Sequence, residues 1–382
     1  MDRTRNDRRR IEGLLGTPAT EGNQVEVLRD GVEIFPAMLD AIARAEHTVD
    51  LLTFVYWTGD IARSFADRLI ERAREGVRCR VILDSLGSRH VDRDLVDEMA
   101  GAGVLVRWFR PLVEGQWPGY RTHRKVLICD EEVAFAGGVG IADEWDGSSA
   151  DGTGWRETQL RLRGPIVDGL RAAFADDWLE VDDVLFDDHD RFPEQPQDGT
   201  VTAMVVRGES EPGFNDVALL RRILLEVARD RVRITTAYLS PPETVIDWIR
   251  QATTRGVRVQ MLVPGPQSDK EIARLAAEHV YDELMDAGVE LHEFRPTMMH
   301  AKVMTVDGVL AVVGSTNLND RSLRHDEEVD VVLFDADLAA LLDAHMDADL
   351  ARSEPVRVGS WNGRSPARWV PRRLVGLVER WI

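Results

Sequence analysis

The chain has 382 residues, enough for two domains with full cores, and its 44% hydrophobic and 30% charged content is that of an ordinary globular protein. A formal net charge of −20 argues against nucleic acid as the main partner, because a phosphate backbone selects a basic surface. No secretory signal and no run of about 18 apolar residues is visible, so no membrane-spanning helix is expected, and the two cysteines, Cys79 and Cys129, sit in apolar runs that suit buried free thiols.

In chain order, residues 1–24 read as a mobile, Arg-rich arm with a short helix near 11–15. A helical pattern over 31–45 places Phe35, Leu39 and Ile42 on one face, and a strand follows at 49–56. Residues 61–75 form an amphipathic helix closed by Gly76, then come a strand at 77–83, a helix at 91–102 and a strand at 104–109. A further strand at 155–163 and a helix at 166–179 complete an α/β domain assigned to residues 25–180. Residues 181–199 are crowded with acids and carry Pro193 and Pro196, as expected of a solvated linker; a metal site around His189 is the weaker alternative, and no Cys/His cluster has zinc spacing. The text then repeats over 200–355, with a helix at 217–228, a strand at 232–238, a helix at 242–254 and a strand entry at 256–259. Gly256-Val257-Arg258-Val259 echoes Gly76-Val77-Arg78-Cys79, and Phe294-Arg295-Pro296 echoes Phe109-Arg110-Pro111. Two homologous halves are expected to pack about a pseudo-two-fold axis.

The clearest repeat is 122–143 against 299–320, which align without a gap. They match at His123/His300, Lys125/Lys302, Val126/Val303, Asp130/Asp307, Gly137/Gly314 and Asp143/Asp320. Each copy predicts a hairpin: strands at 126–129 and 133–136, and at 303–306 and 310–313, with Asp130-Glu131 and Asp307-Gly308 at the turns. His and Lys stand two apart and so leave the same strand face, whereas the Asp lies at the turn and is expected to do supporting work. The glycines after each second strand suit a close backbone approach to an anion. An imidazole can serve as nucleophile or general acid/base, and a neighbouring ammonium can hold a phosphate, so two such pairs facing each other suit phosphoryl chemistry.

A doubled H-x-K-x4-D followed by Gly-Ser-x-Asn resembles the phospholipase D superfamily. Within it the chain is most similar to the bacterial cardiolipin synthases, through Phe35-Pro36-Ala37, Ser85-Leu86-Gly87-Ser88-Arg89, Tyr120-Arg121-Thr122-His123-Arg124-Lys125 and Ile141-Ala142-Asp143-Glu144-Trp145. The resemblance implies two homologous α/β sandwich domains and a cofactor-free, metal-independent phosphatidyltransferase. Such an enzyme makes cardiolipin from phosphatidylglycerol through a covalent phosphatidyl-histidine. The alternatives are hydrolysis of glycerophospholipids as a phospholipase D and, further off, a phosphodiesterase acting on nucleic acid. By the same resemblance His123 is the nucleophile and His300 the acid/base, with Lys125, Lys302, Asp130 and Asp307 completing the catalytic set. Glu157 and Glu328 would hydrogen-bond the far ring nitrogens of the histidines. Ser315 and Asn317, with Gly137, Gly138 and Gly314, would contact the phosphate. The first copy departs from the pattern, with Gly138 in place of Ser and Gly140 in place of Asn.

The tail, 356–382, differs in kind. On a helix from 367 onward, Val370, Leu374, Leu377 and Trp381 share one side, while Arg364, Arg368, Arg372, Arg373 and Arg380 dominate the rest. A basic face opposite an apolar face bearing Trp suits a helix lying in a membrane interface. The expected location is therefore cytoplasmic, peripheral on the inner face of the cell membrane.

Overall fold

The computed structural model describes residues 3–112, 119–184, 187–209 and 215–357. The first half runs α1 (Arg3–Leu15), β1 (Thr20–Arg29), α2 (Asp30–Arg44), β2 (Thr48–Thr53), α3 (Asp60–Arg74), β3 (Arg78–Asp84), α4 (Arg93–Gly101), β4 (Leu105–Phe109), β5 (Val126–Cys129), β6 (Val133–Gly137), β7 (Thr158–Arg163) and α5 (Ile166–Val181). The second runs β8 (Val201–Gly208), α6 (Asp216–Val227), β9 (Arg231–Thr235), β10 (Leu239–Ser240), α7 (Glu243–Thr254), β11 (Arg258–Pro264), α8 (Glu271–Asp286), β12 (Val289–Phe294), β13 (Val303–Val306), β14 (Leu310–Gly314), β15 (Leu318–Asn319), α9 (Asp320–Arg324), β16 (Glu328–Leu333), α10 (Ala336–Leu350) and β17 (Ser353–Pro355).

All but β10 and β15 join one sheet, in the order β17-β12-β11-β9-β13-β14-β16-β8-β1-β7-β6-β5-β2-β3-β4. The order is nearly palindromic. β2, β3 and β4 are parallel, as are β9, β11 and β12. Each trio meets its hairpin antiparallel, β5–β6 in the first half and β13–β14 in the second. The two halves join through the equivalent strands β1 and β8, paired antiparallel, so the pseudo-two-fold axis passes between them. The parallel strands β2 and β3 are buried at every residue, as helices on both faces require.

Burial divides into two outer cores and one shared core. One outer core packs α2, α3 and α4 on the first half, and the other packs α6, α7 and α8 on the second. The shared core joins Leu160 and Phe174 of the first half to Val205 and Val331 of the second and to Leu342 of α10. α5 and α10 thus lie on the inner face of a continuous sheet.

Three sequence expectations change. The N-terminal stretch is not a loose arm: α1 is 13 residues long, Ile11 is fully buried in the second half's core, and β1 begins before residue 25. The 181–199 connection has no helix or strand beyond Val181 among its described residues, yet it is strapped down. Arg78 is nearly buried and takes Asp187 at 2.7 Å and Asp190 at 2.8 Å, while Glu131 accepts the N–H groups of Arg191 (3.0 Å) and Phe192 (2.9 Å). A desolvated guanidinium needs counterions, and this connection supplies them. The elements β8, α8, β16 and α10 were not individually expected.

Both hairpins form at the expected residues. Asp130 and Glu131 have φ of 54° and 60°, and Asp307 and Gly308 have 52° and 66°, two left-handed residues in succession at each turn. The Asp130 carboxylate accepts from the backbone N–H of Glu46 (2.9 Å), His47 (2.7 Å) and Thr48 (3.0 Å). Asp307 does the same for Arg229 (3.0 Å), Asp230 (2.8 Å) and Arg231 (2.8 Å). Each carboxylate therefore pins its hairpin to the entry of the adjacent strand, β2 or β9. Asp130 and Asp307 thus stand at the turn end of each hairpin, bonded to backbone N–H groups. Asp130→Ala or Asp307→Ala should lower the urea unfolding midpoint, by an amount equivalent to about 2–4 kcal/mol, because three N–H donors lose a charged acceptor. An unchanged midpoint would show that the turns are held by other contacts.

Candidate active site

The segments that enter β5 and β13 carry the histidines. His123 N–H donates to the Glu327 carbonyl at 2.8 Å, and Glu327 N–H donates to the Arg121 carbonyl at 2.9 Å. The second copy mirrors this: His300 N–H donates to the Arg156 carbonyl at 2.8 Å, and Arg156 N–H to the Met298 carbonyl at 2.9 Å. Each histidine is thus stitched by its backbone to the acid-bearing segment of the other half.

The side chains cross in the same way. His123 Nδ1 lies 3.0 Å from both carboxylate oxygens of Glu328, and His300 Nδ1 lies 2.6 Å from Glu157 Oε2. With Nδ1 engaged by a carboxylate, Nε2 is the other nitrogen of each ring, and at His300 Lys302 Nζ stands 3.2 Å from it. Lys125 Nζ donates to the His123 carbonyl at 2.6 Å, and Lys302 Nζ donates to the His300 carbonyl. Lys302 Nζ also stands 2.9 Å from His300 Nδ1. His and Lys therefore share a site in both copies, with Glu157 and Glu328 brought to them.

All six groups are buried, and burial sets their charge states. Desolvation, reinforced by Lys125, holds His123 well below its usual range. Desolvation and Lys302 push His300 down to about 4, against the opposing pull of Glu157. Burial pushes Lys125 down to about 7 and Lys302 down to about 8. The acids differ. Burial raises Glu328, whereas at Glu157 the cations Lys302 and His300 outweigh burial and lower it.

Ser315 stands beside Glu328. Its hydroxyl donates to the Glu328 carboxylate and accepts from Val329 N–H at 3.0 Å, and the residue is fully buried. At the matching position Gly138 has no hydroxyl, and Trp145 Nε1–H donates to Glu157 instead, at 3.2 Å. The glycines leave room for neighbouring segments. A Cβ at Gly138 would come within 2.7 Å of Glu157 Oε1, one at Gly137 within 2.2 Å of Gln159 Oε1, and one at Gly314 within 2.1 Å of Asp330 Oδ1. Asn317 does line the cavity, its Oδ1 accepting from Tyr238 N–H at 3.3 Å.

Both histidines open into one cavity of about 870 Å³. Its walls are aromatic and uneven. Phe54 stands edge-on to His123 at 5.0 Å between ring centroids, whereas Trp145 (5.0 Å), Trp155 (5.5 Å) and Tyr238 (6.2 Å) surround His300. The lining also carries Arg89, Asp269, Lys270, Arg321 and Asp326. Among the described residues no group of three or more His, Cys, Asp or Glu is placed to hold a metal ion.

The family model described as "Cardiolipin synthase, PLD-like domain" matches residues 38–178 and 222–350. Probable cardiolipin synthase YwiE of Bacillus subtilis (strain 168) is 31% identical over 338 residues, covering 87% of this chain and 67% of that protein. Cardiolipin synthase A of Pseudomonas fluorescens is 30% identical over 348 residues, covering 89% and 71%. Among solved structures, the phosphatidylserine synthase of Haemophilus influenzae Rd KW20 is similar in fold, with a TM-score of 0.72 at 13% identity over 100% of this chain and 97% of that one.

Two outcomes are expected of this geometry. Gly138→Ala should push Glu157 off His300 and lower the turnover rate about a hundredfold with circular dichroism unchanged, as loss of an oriented acid/base does; normal turnover would show that the pairing is dispensable. On the alkaline side kcat/KM should fall as pH rises through about 7 to 8, where Lys125 and then Lys302 lose their protons in the free enzyme. A bound anion raises both lysines, so kcat should hold to higher pH. Coincident alkaline limbs in the two profiles would exclude the lysines as their source.

Proposed function

The chain belongs to the cardiolipin synthase, phospholipase D-like family and is a phosphatidyltransferase of the phospholipase D superfamily, and from that premise we propose that it makes cardiolipin from two molecules of phosphatidylglycerol through a covalent phosphatidyl-histidine. The observation that supports this most is the pair of crossed imidazole–carboxylate contacts opening on one cavity with an ammonium beside each ring.

In this cycle His123 Nε2 attacks the phosphorus of the donor. A P–N bond forms, the P–O bond to the head-group glycerol breaks, and His300 gives its proton to that departing oxygen. The terminal hydroxyl of the second phosphatidylglycerol then enters. His300 takes its proton, the oxygen attacks phosphorus, and the P–N bond breaks to restore His123. Atoms balance as two phosphatidylglycerols to one cardiolipin and one glycerol. Lys125 and Lys302 offset the charge that builds on the phosphate oxygens. The assignment of roles is supported by charge. Both rings are held below their usual range, which suits a neutral nucleophile at His123, while the ionised Glu157 opposes that lowering at His300, the ring proposed to carry a proton.

The substrate is a membrane lipid, and no helix among the described residues is long and apolar enough to cross a membrane. Peripheral attachment at the inner face of the cell membrane through the tail is part of the proposal; residues 358–382 lie outside the described residues. Its five arginines from Arg364 to Arg380 would each contribute about 1 kcal/mol at an anionic surface.

His123→Ala and His300→Ala should each abolish cardiolipin formation from phosphatidylglycerol vesicles, read by mass spectrometry, and acid-quenched protein should carry the phosphatidyl group on His123. A label on His300 would reverse the roles, and no label on either would remove the covalent step. Phosphatidic acid as the sole product would make the enzyme a hydrolase. Deleting residues 361–382 should abolish co-sedimentation with anionic vesicles while turnover of a short-chain soluble substrate persists. Full-strength vesicle binding by the truncated protein would place the anchor elsewhere.

A further inference from the structure

The chain has 47 lysines and arginines, and only three are lysines: Lys125, Lys270 and Lys302. All three stand at the one cavity. Lys125 and Lys270 line it, and Lys302 lies against the His300 ring. Two belong to the repeated motif; the third does not, and its matching stretch in the first half has no lysine. A chain that meets nearly every other need for a cation with arginine has kept a compact ammonium at this place, where a small point charge differs from a planar fork.

The surroundings of Lys270 say what it can bind. Its backbone is fixed at the start of α8, its carbonyl accepting from Ala273 N–H at 3.1 Å and Arg274 N–H at 3.2 Å. Its Nζ stands 5.1 Å from the centre of the Tyr238 ring, and that ring stands edge-on to His300. The Tyr238 hydroxyl donates to Asp269 Oδ2 at 2.8 Å. Across the wall Arg321 is committed to Asp326 at 2.8 Å. Neither Lys270 nor Arg89 forms an ion pair with a described carboxylate, in a protein of net charge −20. The His300 side of the cavity thus offers an ammonium without an ion pair next to the Asp269 carboxylate, and Arg89, whose Nε donates to His90 Nε2 at 2.9 Å, lines the same cavity.

We infer that Lys270, with Arg89 across the mouth, binds the phosphodiester of the acceptor lipid, while Asp269 accepts a hydrogen bond from its glycerol hydroxyls. This rests on the proposed transfer between two phosphatidylglycerols and adds the feature that selects a phosphate-bearing alcohol over water or free glycerol. A monoanionic phosphodiester a few atoms from a diol is the ligand that an ammonium and a carboxylate on one wall can meet together. Anchored there, the acceptor hydroxyl reaches the ring assigned to deprotonate it.

The test is a competition for the phosphatidyl group. Phosphatidylglycerol vesicles are supplied with isotope-labelled glycerol, or with labelled glycerol 3-phosphate, and products are read by mass spectrometry. Lys270→Met should lower the ratio of cardiolipin to labelled phosphatidylglycerol about tenfold relative to wild type, and transfer to glycerol 3-phosphate relative to glycerol should fall with it. Lys270→Arg, which keeps the charge, should recover most of the ratio. An unchanged ratio, or a parallel fall in all products, would overturn the inference, since a merely structural residue moves every acceptor alike. A fall confined to the lipid acceptor would also overturn it, because the phosphate would not be what Lys270 reads. Wild-type enzyme that exchanges glycerol but makes no cardiolipin would instead overturn the proposed function, and this inference with it.

Discussion

The site depends on an exchange of carboxylates across the pseudo-two-fold axis. Glu157 belongs to the first half and holds the histidine of the second; Glu328 belongs to the second and holds the histidine of the first. A carboxylate removed from water costs several kcal/mol unless it is paired and hydrogen-bonded. Both are fully buried, and each meets an imidazole from the opposite half plus a donor from its own, Trp145 Nε1 for Glu157 and Ser315 Oγ for Glu328. Each half therefore contributes an acid that is hydrogen-bonded to the imidazole of the other half. The same exchange orients the rings, so charge burial and catalytic geometry are satisfied by one contact.

An exchange of this kind needs a rigid frame, because a shift of about 1 Å at either ring is enough to spoil attack on phosphorus. The frame is the continuous sheet through β1 and β8 and the core shared by α5 and α10. Buried ion pairs lock the flanking residues. Arg124, next to His123, meets Asp177 of α5 at 2.7 Å, and Arg156, next to Glu157, meets Asp349 of α10 at 2.8 Å. Arg110 reaches Glu327, next to Glu328, at 2.9 Å. Such pairs are costly to desolvate and add little net stability, but removing one partner is strongly unfavourable, so they hold a single arrangement.

The hairpins were legible because several local signals agree: short apolar strands, a residue pair that accepts left-handed backbone, and His and Lys two apart. The crossed pairing was not legible, since its partners are separated by 205 and 143 positions and nothing local says which acid serves which ring. Ser315 illustrates a motif whose chemistry depends on depth. On a surface loop its hydroxyl would be free for a phosphate, but beside a buried carboxylate it satisfies that charge first. The role of Gly138 follows from the same crowding, visible only once β7 is in place. The N-terminal helix was expected only near 11–15, because the arginines before Ile11 read as a solvated arm, whereas α1 starts at Arg3 and buries Ile11 in the second half's core. α8 was missed for a different reason: much of its buried face is alanine, too small to give a strong periodic signal.

Duplication would by itself give two equivalent histidines, and two equivalent histidines have no direction. The departures from symmetry supply one. Where Ser315 Oγ serves Glu328, Gly138 has no hydroxyl and the indole Nε1 of Trp145 serves Glu157, and that indole also stands edge-on to His300 near Trp155 and Tyr238. Burial and Lys302 push His300 down to about 4, and the ionised Glu157 opposes them, which is the pull a ring needs to carry a proton in the cycle proposed above. Among the described residues Phe54 is the aromatic neighbour of His123, and burial raises the carboxylate partner Glu328, so the neutral ring is favoured there. Lys270, Tyr238 and Asp269 lie on the His300 side as well. The group that must take a proton from the acceptor and the wall suited to anchor that acceptor are therefore on one side of the cavity.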